Sequence, residues 1–245
     1  MSNTLILRSA KSLLSPLPGT PVVPDIFSNI YWELDPVSLA ALAPGAAVDA
    51  WVASGVAPSL NRTYNFQYSN WGKPTYSPAG GPNGAPAVLF SGSQQICNGA
   101  GTTAQVEPLT YAVVCKSSAF ANTQSRIFSD TNHWVLPSPS GYSMSDTGAP
   151  AAIPSNNPTT DWVVVIAKFD GEHSVFKVGT GPQIPAPLMA VKTSGRNVFG
   201  GNPTTLTGIG LEGGIAFARA YTRSLNASDI DALALSLSRR FGLTT

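Results

Sequence analysis

Charge is what this chain has least of. Asp, Glu, Lys and Arg make up 11% of 245 residues, the 14 Lys and Arg are scattered, and the formal net charge is +1. Nucleic acids and anionic membranes are gripped by clustered cations, so neither is expected as a partner. Histidine is nearly absent: His133 and His173 stand alone on separate predicted strands, and no His-x-x-x-His or His-Glu pair exists. That spacing excludes the motif chemistry of zinc proteases, and each is read as a surface or structural histidine. The two cysteines, Cys97 and Cys115, form no Cys-x-x-Cys, which excludes zinc ribbons and thioredoxin-type redox sites. They read as small buried hydrophobes or as a disulfide between neighbouring strands. No Gly-rich phosphate loop occurs, and Gly141-Tyr142-Ser143-Met144-Ser145 lacks the second Gly of a nucleophile elbow. No cofactor is expected. No apolar run approaches the roughly 18 residues of a membrane span. Arg8 and Lys11 interrupt the apolar residues of Met1–Leu17 and no small-residue cleavage site follows, so no signal peptide is expected.

Glycine and proline are plentiful, at 23 and 21 residues. They punctuate short apolar segments in the manner of an all-β sandwich, and 245 residues suit one such domain. Candidate strands are 30–34, 47–52, 62–68, 86–91, 109–116, 125–129, 133–136, 162–169, 173–178, 187–192, 196–199 and 213–221. The run Trp162–Ala167 is continuously apolar and β-branched, which predicts a strand buried on both faces. Phe169-Asp170-Gly171 reads as a hairpin with Asp-Gly as its turn. Residues 1–29 form a separate arm containing Pro16, Pro18, Pro21 and Pro24, either disordered or an extended tether with Leu5–Leu7 and Leu13–Leu17 as anchors.

The chain ends on a strand, a corner and a capped helix. Ile215, Phe217 and Tyr221 supply strand alternation, whereas Ile230, Leu233, Leu237 and Phe241 recur at helical steps. Asn226 is the expected N-cap, with Asp229 in capping-box position. Arg239 and Arg240 complement the last turn and Gly242 is the stop.

This ending, with Tyr221-x-Arg223-x-Leu225 leading to Phe241-Gly242-Leu243, resembles the close of the concanavalin A-like (laminin-G-like) jelly-roll family. The resemblance recurs in family order at Ile30–Asp35 with Gly45–Trp51, at Gly84–Ser93, at Thr110–Val114 and at Trp162–Gly171. It implies a jelly-roll sandwich over 30–245 with one short C-terminal helix. The Ala/Gly/Pro-rich style and the arm are similar to tailed-bacteriophage virion proteins. That likeness implies a non-catalytic decoration or minor tail protein, made in the host cytoplasm and working on the virion. Its partners would be other virion proteins, copies of itself and host-surface glycans. The alternatives are a carbohydrate-binding module or lectin and, further off, a glycoside hydrolase.

The glycosidase reading concerns Glu33 and Asp35, because laminarinase-type members of the fold place paired carboxylates on alternate strand residues. Here the second catalytic Glu is missing and Pro36 breaks the strand, so Asp35 reads as a turn-capping carboxylate. Asp130, Asn132, Asp146, Asp161 and Asp170 are rim-type oxygens without the density calcium needs, and they read as solvated turns. For glycans, aromatic rings stack on sugar C–H faces, and Trp71, Tyr76, Trp134 and Tyr142 lie beside Asn-, Ser- and Gly-rich loops. Each is read as ligand-binding or as buried under a loop. Trp32, Trp51 and Trp162 read as core. No enzymatic activity is expected.

Overall fold

The computed structural model describes residues 30–54, 63–65, 72–98, 107–118, 126–130, 132–147, 153–155, 159–188, 191, 198–201 and 210–243. The arm, residues 1–29, lies outside them, as does Trp71. The described chain is an all-β sandwich of two antiparallel sheets with one helix at its end.

Sixteen strands follow in chain order: β1 Ile30–Leu34, β2 Ala50–Val52, β3 Thr63–Asn65, β4 Thr75–Ser77, β5 Ala87–Ser91, β6 Ile96–Asn98, β7 Leu109–Ser117, β8 Phe128–Ser129, β9 His133–Ser138, β10 Gly141–Asp146, β11 Ile153–Pro154, β12 Val163–Phe169, β13 Val175–Val178, β14 Ile184–Pro185, β15 Val198–Phe199 and β16 Glu212–Tyr221. The first sheet runs β14-β13-β12-β7-β16-β5-β4, with β1 also on β16; the second runs β11-β10-β9-β8-β15-β6-β3-β2.

Side chains alternate across each strand. From β12, Val163, Val165, Ala167 and Phe169 enter the core between the sheets, beside Trp32, Tyr111, Phe128, Met144 and Phe199. Val164 and Ile166 face outward beneath the helix α1, Ala227–Phe241, with Ile230, Leu233, Leu237 and Phe241. Both faces are therefore covered, one by a sheet and one by a helix, which is why β12 is apolar from Val163 to Ala167.

The helix has the expected caps. Asn226 Oδ1 accepts from the Asp229 N–H at 2.8 Å, and Asp229 turns its own carboxylate to Arg223, 3.5 Å away. Gly242 closes the other end at φ 57°, with the Leu243 N–H on the Ser238 carbonyl at 2.8 Å. Asn83, itself at φ 49°, donates its side-chain amide to the last carbonyls, Phe241 at 2.9 Å and Gly242 at 3.1 Å. A Cβ at Gly242 would collide with that amide. Gly242→Ala thus combines a left-handed backbone cost with disruption of the Asn83 cap. It is expected to destabilise the fold by about 2 kcal/mol, read as a lower urea midpoint at unchanged slope.

Two local expectations differ from the structure. The β12–β13 connection is not a two-residue Asp-Gly turn but a five-residue loop, 170–174, holding a 3-10 turn at Gly171–His173. Glu107 holds the Gly171 N–H at 2.8 Å, so tertiary contact shapes this loop. In β16 the alternation expected of Ile215 and Phe217 is broken, because the register against β7 shifts between them. This bulge leaves Ile215 in the inter-sheet core and turns Phe217 and Tyr221 toward the helix.

Candidate functional site

Of the four aromatics read as ligand-binding, Trp71 lies outside the described residues. Tyr76 and Tyr142 are corrected to core residues, with 3% and 0% of their surface exposed. Tyr76 is the inward centre of β4, and Tyr142 shares a strand face with the core residue Met144. Their loops flank the sandwich, but strand alternation turns both rings inside. Trp134 is the one set at a surface. Its neighbour Val135 enters the core, so Trp134 points out of the second sheet and stays half-buried.

The Trp134 environment combines three chemistries. The Arg126 guanidinium carbon lies 4.5 Å from the ring centroid, a cation–π contact. Burial lowers the Arg126 pKa to about 10 against the opposing pull of Asp130, which leaves the side chain charged at neutral pH. Across the sheet, Ser129 of β8 and Ser145 of β10 are directly opposite Trp134. Where β9 turns into β10, the Ser138 hydroxyl meets that of Ser143 at 2.9 Å and that of Ser140 at 3.4 Å. An indole face and a guanidinium fork together suit a ligand with both C–H faces and hydroxyl groups; Ser129, Ser138, Ser143 and Ser145 are themselves buried, and Ser129 donates to the Gly201 carbonyl at 2.8 Å.

Behind this shelf sits a charged cluster that no local motif announced. His133 is fully buried between two carboxylates, Nδ1 on Asp130 at 2.9 Å and Nε2 on Glu107 at 2.8 Å. The Tyr111 hydroxyl donates to Asp130 at 3.2 Å, and backbone N–H groups of Asn132 and His133 donate to it at 2.7 and 2.8 Å. Asp146, also buried, is the cross-strand neighbour of His133. Burial alone would depress the imidazole, but bonds and charges from Asp130 and Glu107 outweigh it and raise its pKa to about 9. Glu107 and Gly171 belong to the first sheet's end and His133 to the second, so the cluster joins the two sheets. Asp130 and Asp146 are therefore corrected from solvated rim residues to buried ones. Asp170 stays at the surface, bound by Ser224 at 2.8 Å and Lys168 at 3.5 Å. Among the described residues, no group of His, Cys, Asp or Glu has the arrangement of a metal site. Cys115 is a free thiol buried in the core, and burial raises its pKa; the side chain of Cys97 lies outside the described residues.

Glu33 and Asp35 are each held by an arginine. Arg219 Nε donates to Glu33 at 2.7 Å and its Nη1 to the Tyr221 hydroxyl at 3.2 Å. Asp35 pairs with Arg240 and accepts from the Val37 N–H at 3.0 Å, the capping role read from sequence. A groove of 590 Å³ lies between α1 and the loop after β13, lined by Lys177, Gln183, Asp231 and Leu235 among others. Its polar groups bind the protein itself: Lys177 pairs with Asp231 at 3.0 Å, and Gln183 donates to the Ala227 carbonyl at 2.7 Å.

No protein-family model matches the chain, and no curated protein matches it in sequence. Solved structures match in fold. Trypanosoma rangeli sialidase in complex with 2,3-difluorosialic acid aligns with a TM-score of 0.56 at 14% identity, over 91% of this chain and 36% of that one. An arabinofuranosidase complexed with arabinofuranosyl-α-1,2-xylobiose aligns at 0.50 and 9% identity, over 77% of this chain and 51% of that one. Domain 4 of a GH43 extracellular arabinanase from Geobacillus stearothermophilus, in complex with arabinotriose, aligns at 0.46 and 17% identity, over 68% and 90%. The chain thus spans only part of the sialidase and of the arabinofuranosidase. Likeness at such identity establishes the fold. It also corrects the expectation that the chain is no enzyme: these neighbours come from glycoside hydrolases, so a non-enzymatic assignment does not stand. They lend no support to the bacteriophage part of the sequence resemblance.

Proposed function

We propose that this chain is a carbohydrate-recognition domain of concanavalin A-like layering, with its glycan site at the Trp134 shelf. One observation carries the reading: the half-buried Trp134 ring on the outer face of the second sheet, paired with the Arg126 guanidinium at 4.5 Å. An indole offers a stacking surface and Arg126 a fork of donors for hydroxyls or a carboxylate. The sugars named in the neighbouring complexes, sialic acid derivatives and arabinose- and xylose-containing oligosaccharides, are the first ligands to test.

The test is a glycan array probed with the intact chain, including sialylated, arabinan and xylan oligosaccharides. Trp134→Ala and Arg126→Ala are each expected to weaken the positive signals about tenfold or more, equivalent to about 1.4 kcal/mol, with the melting temperature nearly kept. An array on which the intact chain is silent would sink the proposal, as would a Trp134→Ala protein that binds normally. The same oligosaccharides are incubated with the protein and assayed for released sugar, which reads hydrolysis directly.

Attachment to a virion is a second, finer proposal, and the Pro-rich arm supports it. Such an arm can lock onto an assembly while many weak sites add avidity. Deleting residues 1–29 is then expected to abolish incorporation into particles and to leave a folded domain; a truncated chain that incorporates normally overturns it.

A further inference from the structure

Among the described residues, a second half-buried tryptophan stands on the opposite side of the sandwich. Trp162, which the sequence places in the core, precedes β12 by one residue and is half-buried on the outer face of the first sheet, at the margin of the helix-covered cluster. The register pairs Val163 with Cys115, Lys116 with Gly214 and Gly214 with Leu89. Trp162, Lys116, Gly214 and Leu89 therefore form one row across four strands.

The indole occupies that row lengthwise. A Cβ built on Gly214 would lie 2.7 Å from Trp162 Cη2, 3.2 Å from its Cζ2 and 2.9 Å from Leu89 Cδ2. Strand β16 is two strand spacings from β12, about 9.6 Å. The ring's far edge reaches it only if the side chain lies along the sheet across β7 instead of standing away from it. Glycine at 214 is what leaves the room. The result is an apolar strip running from Trp162 to Leu89 with polar groups at its edges: Lys116 within the row, and exposed Ser91 and Glu212 paired two residues along β5 and β16.

We propose that this strip is a second carbohydrate site, distinct from the Trp134 shelf, which takes the C–H face of a neutral, β-linked oligosaccharide. Equatorial hydroxyls leave the axial C–H groups of a β-linked pyranose as a flat apolar face, and that face matches a recumbent indole. Lys116 and Glu212 then meet the hydroxyls at the ring's edge. One carboxylate against one ammonium leaves no excess positive charge to favour an acidic sugar here. An open sheet surface accommodates the interior of a glycan chain and does not require a chain end.

The test is calorimetric titration of the intact chain with cellohexaose and xylohexaose, with α-linked maltohexaose for contrast. Trp162→Ala is expected to weaken the β-linked ligands about tenfold or more, and Trp162→Phe to keep most of the affinity. Because Trp162 also borders the core, the wild-type protein is titrated in parallel by NMR. The Trp162 indole N–H resonance, assigned from the Phe variant, is expected to shift on binding. The proposal is overturned if neither β-linked ligand binds, if maltohexaose binds as well as cellohexaose, or if that resonance stays still during saturation. Loss of binding in Trp134→Ala with none in Trp162→Ala would place the glycan on the other face and overturn it too.

Discussion

His133→Ala is expected to destabilise the fold by about 3–5 kcal/mol, because it removes the cation that two buried carboxylates share. With 0% of the imidazole and at most 1% of either partner's side chain exposed, no water replaces the lost charge. Most of that cost comes from stranding Glu107 and Asp130, not from the net worth of the ion pairs. Glu107→Gln combined with Asp130→Asn in the His133→Ala background is therefore expected to recover part of the loss. Urea denaturation of the three proteins at pH 6 measures both effects. A single variant within about 1 kcal/mol of wild type would contradict the assignment of His133 as a charged clamp.

The same cluster sets a pH dependence with a definite sign. Its imidazole titrates in the folded chain at about 9, above its ordinary value of 6.5, so the folded state holds the proton more tightly than the unfolded state. The contribution is complete below about pH 6.5 and fades as pH rises through about 9, amounting to roughly 3 kcal/mol in all. Above that range the neutral ring donates from one nitrogen only, and one carboxylate loses its bond from the imidazole. Wild type is thus expected to lose stability between pH 7 and 10, and His133→Ala to lose much less over the same interval.

Gly213→Ala is the second large effect. Gly213 has φ 154°, and a Cβ there would run into the backbone carbonyl of Lys116 on β7. That obstacle is main chain inside a ladder, so relief requires parting β7 from β16, two central strands of the first sheet. A loss of about 3 kcal/mol or more is expected. At the adjacent Gly214 the neighbours are the Trp162 and Leu89 side chains, which can swing aside, so Gly214→Ala is expected to be milder while displacing the Trp162 ring. Chemical denaturation of both variants tests the order, and the reverse ranking would contradict it.

Much of the scaffold was legible in the residues. The strand Ile30–Leu34 and the stop at Gly242 were read where the structure has them, and Asn226 caps the helix as expected. These depend on local chemistry: alternation, a side-chain oxygen over a helix start, a residue that tolerates positive φ. The site was less legible. Tyr76, Trp134 and Tyr142 have similar neighbours in sequence, yet two are core and one meets the surface, because a one-residue change of strand phase decides the face. Trp162 differs from its expected place because β12 is covered on its outer side by a helix that stops short of it.

The sequence alone determined that this chain builds its core from alternating strands and ends in one capped helix, because those patterns act over a few residues. Tertiary structure alone decided the rest. Glu107 meets His133 because two different sheets bring them together, and Trp162 lies on Gly214 because a single strand, β7, lies between theirs. Pairings between segments distant in the chain are set by register and layer packing, and no local pattern encodes them.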